Sequence, residues 1–129
     1  RIMKFHHIGY LTNNLTSTIN DFKKLNYKKK YPLINDDHLK VKIQFLINGN
    51  NIIELVKPNK KNYGLINILK KQNYAYHFAY KVKDLNKTLA KLKKKFNIIV
   101  NPTPAKAFNG KKVAFMKMKN NFIFELIQS

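Results

Sequence analysis

The stretch His7-Ile8-Gly9-Tyr10 decides the fold, because it returns seventy residues later as His77-Phe78-Ala79-Tyr80. Each copy is followed by a residue type that caps helices, Asn14 in the first half and Asp84 in the second. Apolar residues then recur at i, i+4 and i+7; they are Leu15, Ile19 and Phe22, and Leu85, Leu89 and Leu92. This spacing is typical of an amphipathic helix, so each half is predicted to begin with a strand and a capped helix.

The second part of each half repeats as well, at an offset of 71 residues. Four residues match four others: Asn50, Ile52, Glu54 and Leu55 lie over Asn121, Ile123, Glu125 and Leu126. Each segment follows a strand-like run and an asparagine-containing turn, a pattern that favours a β-hairpin. These runs are Val41–Ile47 and Val113–Lys119, and shorter strands are expected around Tyr31–Ile34 and Ile98–Val100.

A helical pattern over Tyr63–Gln72 connects the two halves. The sequence therefore predicts an α+β fold of two tandem β-α-β-β-β modules. At 129 residues the chain has room for one compact domain. We expect that domain to span residues 3–129, with module 1 at about 4–58, the connector at 59–73 and module 2 at about 74–128.

The composition bears on where the protein is located. No run approaches the roughly 20 apolar residues of a membrane span, and Arg1–His7 leads into no apolar segment typical of a signal peptide. The absence of cysteine fits a reducing cytoplasm, so a cytoplasmic location is expected.

The formal net charge of +20 invites a nucleic-acid interpretation. However, Arg1 is the only arginine, the lysines are scattered, and frequent Lys, Asn and Ile are what AT-rich codons produce. Lysine cannot make the paired hydrogen bonds by which the guanidinium group of arginine binds phosphate or guanine. We therefore expect no dedicated nucleic-acid binding. An anionic small substrate would be attracted by the same positive field.

Four polar residues occupy equivalent positions in the two halves of the repeat. The only two glutamates, Glu54 and Glu125, occupy equivalent positions, and so do two of the four histidines, His7 and His77. Both glutamates lie in strands that are apolar on both faces, where an ionised carboxylate costs several kcal/mol unless it is paired or binds a metal. An ion pair between each glutamate and a lysine is the alternative, but no lysine lies within these apolar runs. Two imidazoles and two carboxylates suit one Zn²⁺, Ni²⁺, Co²⁺, Fe²⁺ or Mn²⁺ ion.

At these residues the chain resembles the vicinal oxygen chelate superfamily, which includes the glyoxalase I and methylmalonyl-CoA epimerase families. The resemblance runs from Phe5 to Ile127. It rests on four segments: Phe5–Gly9, Ile53–Pro58, Tyr76–Leu85 and Phe124–Ile127. It implies a curved, partly closed mixed sheet around one metal ion, with His7, Glu54, His77 and Glu125 as the ligands.

Within that superfamily, Glu54-Leu55-Val56-Lys57-Pro58 is most similar to the Glu-Leu-x-x-Pro of methylmalonyl-CoA epimerases. The similarity implies a metal-dependent epimerase that removes a proton next to a carbonyl, on a substrate such as an anionic acyl-CoA thioester. Glu125 and Asp37 would be the two acid/base residues; a solvated turn is the alternative role for Asp37. A glyoxalase I-like lactoylglutathione lyase and a non-catalytic binding protein are the alternative functions. Dimers are common in the superfamily, so the resemblance is compatible with a homodimer.

Overall fold

A computed structural model describes residues 3–129 of the chain. Within that range the helices and strands follow each other as two β-α-β-β-β modules joined by a connecting helix. The first module comprises β1 (Met3–Leu11), α1 (Leu15–Lys23), β2 (Lys28–Asp36), β3 (Val41–Asn48) and β4 (Asn51–Pro58), and the connector is α2 (Tyr63–Lys70). The second comprises β5 (Ala75–Val82), α3 (Leu85–Leu92), β6 (Asn97–Pro104), a short 3₁₀ turn (Lys106–Phe108), β7 (Lys112–Lys117) and β8 (Ile123–Gln128).

The chain divides into two compact units, a first unit of residues 7–76 and a second unit of residues 3–6 and 77–129. In the first unit the strand order is β2-β3-β4-β1. The β2, β3 and β4 strands are antiparallel, and β1 pairs with β4 in parallel. Helix α1 places Ile19 against Leu46, Ile53 and Leu55 of the sheet, and this cluster is the part of the core that lies between the helix and the sheet.

The second unit repeats this arrangement, with the strand order β5-β8-β7-β6. Strand β5 pairs with β8 in parallel, while β8, β7 and β6 are antiparallel. Helix α3 places Leu85 and Leu89 in a core cluster with Met116, Phe124 and Leu126. The predicted α+β class, the mixed sheet and the duplicated module are therefore confirmed.

Three strands differ in their boundaries from the prediction. One is β6, which continues to Pro104, the partner of Lys112 in β7. Strand β2 is longer than expected and begins at Lys28, because its bulge after Lys30 lets the chain rejoin β3 at Ile34. Strand β7 ends at Lys117, because Met118 already belongs to the turn: its N–H donates to Phe122 O at 2.8 Å, and Asn121 has a positive φ of 71°. No helix within residues 3–129 is both long enough and apolar enough to cross a membrane.

Both predicted helix caps are present. The Asn14 side chain accepts a hydrogen bond from Ser17 N at 3.0 Å, and the Asp84 side chain accepts one from Lys87 N at 3.0 Å. Each bond satisfies a backbone donor that the first turn of a helix leaves unpaired.

We expect Asp84→Ala to lower the free energy of unfolding by about 1 kcal/mol, because the substitution removes this acceptor from the first turn of α3. Asp84→Asn is the matched control: it keeps the acceptor oxygen and is expected to lose less than half as much. Urea unfolding followed by circular dichroism measures both changes. Equal losses in the two variants would assign the effect to the negative charge rather than to the cap.

Candidate functional site

In the first unit, the parallel pairing of β1 with β4 brings His7 and Glu54 together. Gly9 is the register partner of Glu54, so His7 lies two residues before that partner. The His7 Nε2 atom is 3.5 Å from Glu54 Oε1. His7 is fully buried and Glu54 is 4% exposed, so both polar groups lie away from solvent.

The second unit contains the same pair in the same register. Ala79 of β5 is the partner of Glu125 in β8, and His77 lies two residues before Ala79. The His77 Nε2 atom is 3.2 Å from Glu125 Oε1. His77 is fully buried and Glu125 is 3% exposed. The structure thus brings each predicted histidine to the predicted glutamate of its own module.

A phenylalanine positions each histidine, and the sequence analysis did not identify either one. Phe45 is the register partner of Glu54 on β3, and its ring lies 5.9 Å from the His7 ring at 78°. Phe115 is the partner of Glu125 on β7, and its ring lies 5.4 Å from the His77 ring at 86°. Such edge-to-face contacts orient the imidazoles. The signal in the sequence is that Phe45 and Phe115 are themselves seventy residues apart.

The two pairs offer donor atoms that suit a divalent transition metal. Imidazole nitrogen and carboxylate oxygen are the ligands that Zn²⁺ and its neighbours bind, at about 2.1 Å. Two such ligands at a right or tetrahedral angle are about 3.0–3.4 Å apart. The His77–Glu125 distance falls in this range and the His7–Glu54 distance lies just above it.

Asp37 lies in the turn between β2 and β3, and its side chain is exposed. The preceding Asp36 is 1% exposed and accepts a hydrogen bond from Leu39 N at 3.0 Å, which stabilises that turn. Asp36 pairs with Val41, four residues along β3 from the Phe45 that pairs with Glu54. That separation is about 13 Å along the strand. A role for Asp37 in proton transfer therefore stays a prediction.

The other two histidines lie in the places expected for packing or solvent exposure. The half-buried His6 ring lies 5.5 Å from the Phe108 ring in an edge-on contact. His38 is exposed in the β2–β3 turn.

The sequence and the fold of this chain are similar to those of known proteins. Residues 6–115 match the family model described as the Glyoxalase/Bleomycin resistance protein/Dioxygenase superfamily. No curated protein matches the sequence significantly.

Several solved structures share the fold. A hypothetical protein from Bacillus halodurans C-125 superposes with a TM-score of 0.86 at 22% identity, covering 100% of this chain and 96% of its own. A variant methylmalonyl-CoA epimerase from Streptomyces coelicolor, in complex with 2-nitronate-propionyl-CoA, gives 0.84 at 18% identity and covers 100% and 99%. The methylmalonyl-CoA epimerase from Mycobacterium tuberculosis gives 0.82 at 16% and covers 97% and 87%. At these identities the likeness shows the fold.

Proposed function

Because the chain belongs to the glyoxalase/bleomycin resistance protein/dioxygenase superfamily, we propose that it is a metal-dependent isomerase that removes a proton next to a carbonyl. The observation that carries the proposal is the repetition of one buried His–Glu pair, in identical strand register, in both units. A binding protein that holds the metal without turnover is the alternative, because a fold does not fix its function.

We propose that His7, Glu54, His77 and Glu125 hold one divalent ion, either Zn²⁺, Ni²⁺, Co²⁺, Fe²⁺ or Mn²⁺. All four side chains are buried, and each pair offers one imidazole nitrogen and one carboxylate oxygen. Ionised carboxylates at this burial are costly unless a positive charge compensates them. A divalent ion supplies that charge, and the ring contacts of Phe45 and Phe115 hold the imidazoles in place for it.

When bound, the ion supplies positive charge that stabilises the negative charge developing on a carbonyl oxygen. The proton next to that carbonyl is taken by the Glu125 carboxylate, which acts as the base on one face of the substrate. Epimerisation needs a second acid/base on the opposite face, and Asp37 is the proposed donor there. Its exposed position in the β2–β3 turn lets it exchange protons with solvent.

The proposed substrate is an anionic acyl thioester of the methylmalonyl-CoA type. Three of the six carboxylates, Asp36, Glu54 and Glu125, are buried, whereas every lysine is exposed or half-buried. The surface is therefore strongly cationic and attracts substrates that carry phosphates and carboxylates. Methylmalonyl-CoA epimerases of the same fold have been solved with ligands of this kind.

Solvent exchange tests the proposed reaction. The metal-loaded protein in D₂O is expected to replace the α-proton of methylmalonyl-CoA with deuterium, which mass spectrometry and proton NMR detect. Protein treated with a chelator is the control and should lose the exchange. Turnover of glutathione hemithioacetals without exchange of any α-branched thioester would contradict the epimerase and favour a lyase. Binding of these compounds without turnover of either would favour a binding protein.

A further inference from the structure

The first unit contains a cleft that the proposed reaction does not use. It has a volume of about 450 Å³ and lies among the end of β1, the start of α1, the end of β4 and helix α2. Its walls are apolar at Leu11, Ile66 and Leu69 and aromatic at Tyr10 and Tyr74. The volume is in the range of small-molecule sites.

The cleft does not include the His7–Glu54 pair: its residues on β1 and β4 are Tyr10, Leu11, Lys57 and Pro58, at the ends of these strands. Ile53 and Leu55 point to the α1 side of the sheet, where Tyr10 also packs. Because side chains alternate along a strand, Glu54 points to the other side. The Tyr10 ring therefore faces away from Glu54, and a molecule against that ring lies apart from the His7–Glu54 pair.

Backbone hydrogen bonds hold the frame of the cleft. Thr12 N donates to Val56 O at 3.0 Å, which joins the end of β1 to β4. Leu11 N donates to Tyr74 O at 2.8 Å, which joins β1 to the segment before β5. The Tyr10 and Tyr74 rings are stacked 6.0 Å apart with an interplanar angle of 19°. These contacts hold the two aromatic rings together in the chain itself, so a ligand does not have to assemble them.

The polar groups at the cleft favour an anion. Lys57 and Lys70 line it with exposed side chains, and none of the described residues that line it is acidic. Two hydroxyl groups at the cleft bond to each other: Thr12 Oγ1 and Thr18 Oγ1 are 2.8 Å apart. Because the Thr12 hydroxyl donates to Asn14 O at 3.1 Å, Thr18 is the donor in this bond, and the attraction for an anion comes from Lys57 and Lys70.

From this combination we infer that the cleft is a second ligand site, which binds a small organic anion with a flat apolar body, such as an aryl phosphate or aryl carboxylate. The ring system lies against Tyr10 and Tyr74, and the anionic group is bound by Lys57 and Lys70. The site does not depend on the metal or on the proposed isomerase reaction.

The test is titration of the purified protein with 1-naphthyl phosphate, followed by amide NMR. We expect chemical-shift changes centred on Tyr10, Thr12, Ile66 and Tyr74. The neutral analogue 1-naphthol and inorganic phosphate should each bind at least about tenfold more weakly, since each carries only half of the recognised chemistry.

Matched variants distinguish binding in the cleft from attraction by the overall positive charge of the protein. The double variant Lys57→Gln, Lys70→Gln should raise Kd at least about tenfold, and Tyr74→Ala should raise it as well. The control Lys60→Gln, Lys71→Gln removes the same charge from neighbouring positions that do not line the cleft, and its Kd should stay within about twofold of the parent. Equal losses in the two double variants, or shift changes confined to residues outside the cleft, would overturn the proposal.

Discussion

Replacing His7 and His77 together by alanine is expected to abolish metal binding by the purified protein. Wild-type protein, prepared without chelator and dialysed, should hold close to one divalent ion per chain. The double variant should hold almost none, because it removes one imidazole from each His–Glu pair. Loss of a residue that merely supports a ligand already costs 10–100-fold in affinity, so loss of two ligands should exceed about 100-fold.

Glu54→Gln offers the most conservative single test, since it preserves the shape of a side chain that is 4% exposed while removing its charge. It should lower the metal content measured by plasma mass spectrometry. His38→Ala is the control, because His38 is the exposed histidine of the β2–β3 turn and its loss should leave the content unchanged. Full occupancy in the His7→Ala, His77→Ala protein would rule out the proposed ligand set.

Metal removal should also appear as a loss of stability. An ion that binds only the folded chain stabilises it by mass action, by about 2.7 kcal/mol at a free concentration 100 times Kd. Chelation should therefore lower the Tm of the wild-type protein. It should leave the Tm of the double histidine variant unchanged, which distinguishes lost metal binding from a packing defect.

Asp37→Asn is expected to slow epimerisation by about 10²–10⁴-fold, the usual contribution of a general acid/base. It should leave the metal content unchanged, because Asp37 lies in an exposed turn and is not a proposed ligand. Proton exchange on the face served by Glu125 should continue, so exchange and epimerisation become separable. Deuterium incorporation and chiral analysis of the thioester, run side by side, measure the two.

Glu125→Gln should abolish both exchange and epimerisation and reduce the metal content, since it removes the proposed base and a proposed ligand together. Asp21→Asn is the matched control: it removes an exposed carboxylate from α1 and should behave as wild type. Wild-type epimerisation by Asp37→Asn would exclude Asp37 from the reaction. In that case the neighbouring Asp36 or a reaction with a single base becomes the better explanation.

Much of this protein could be predicted from the sequence, because the decisive signals are local and occur twice. Strand alternation, the helical spacing after Asn14 and Asp84, and the asparagine turns each depend on a few neighbouring residues. Because the module is duplicated, each local pattern could be compared with its counterpart in the other half. A histidine and a glutamate that keep their places in two copies stand out even without other sequences for comparison.

What only the tertiary structure decided depends on pairing between distant segments. The contacts of Phe45 with His7 and of Phe115 with His77 depend on the parallel pairing of β1 with β4 and of β5 with β8, which no hairpin turn fixes. The same holds for the cleft that Tyr10 and Tyr74 line, because it forms only where residues of β1, β4 and α2 come together. Asp36 and Asp37 are adjacent and chemically identical, yet one is buried and the other exposed. Turn geometry and the pairing of β2 with β3 separate them, because successive side chains of a strand point to opposite faces and the turn begins between the two.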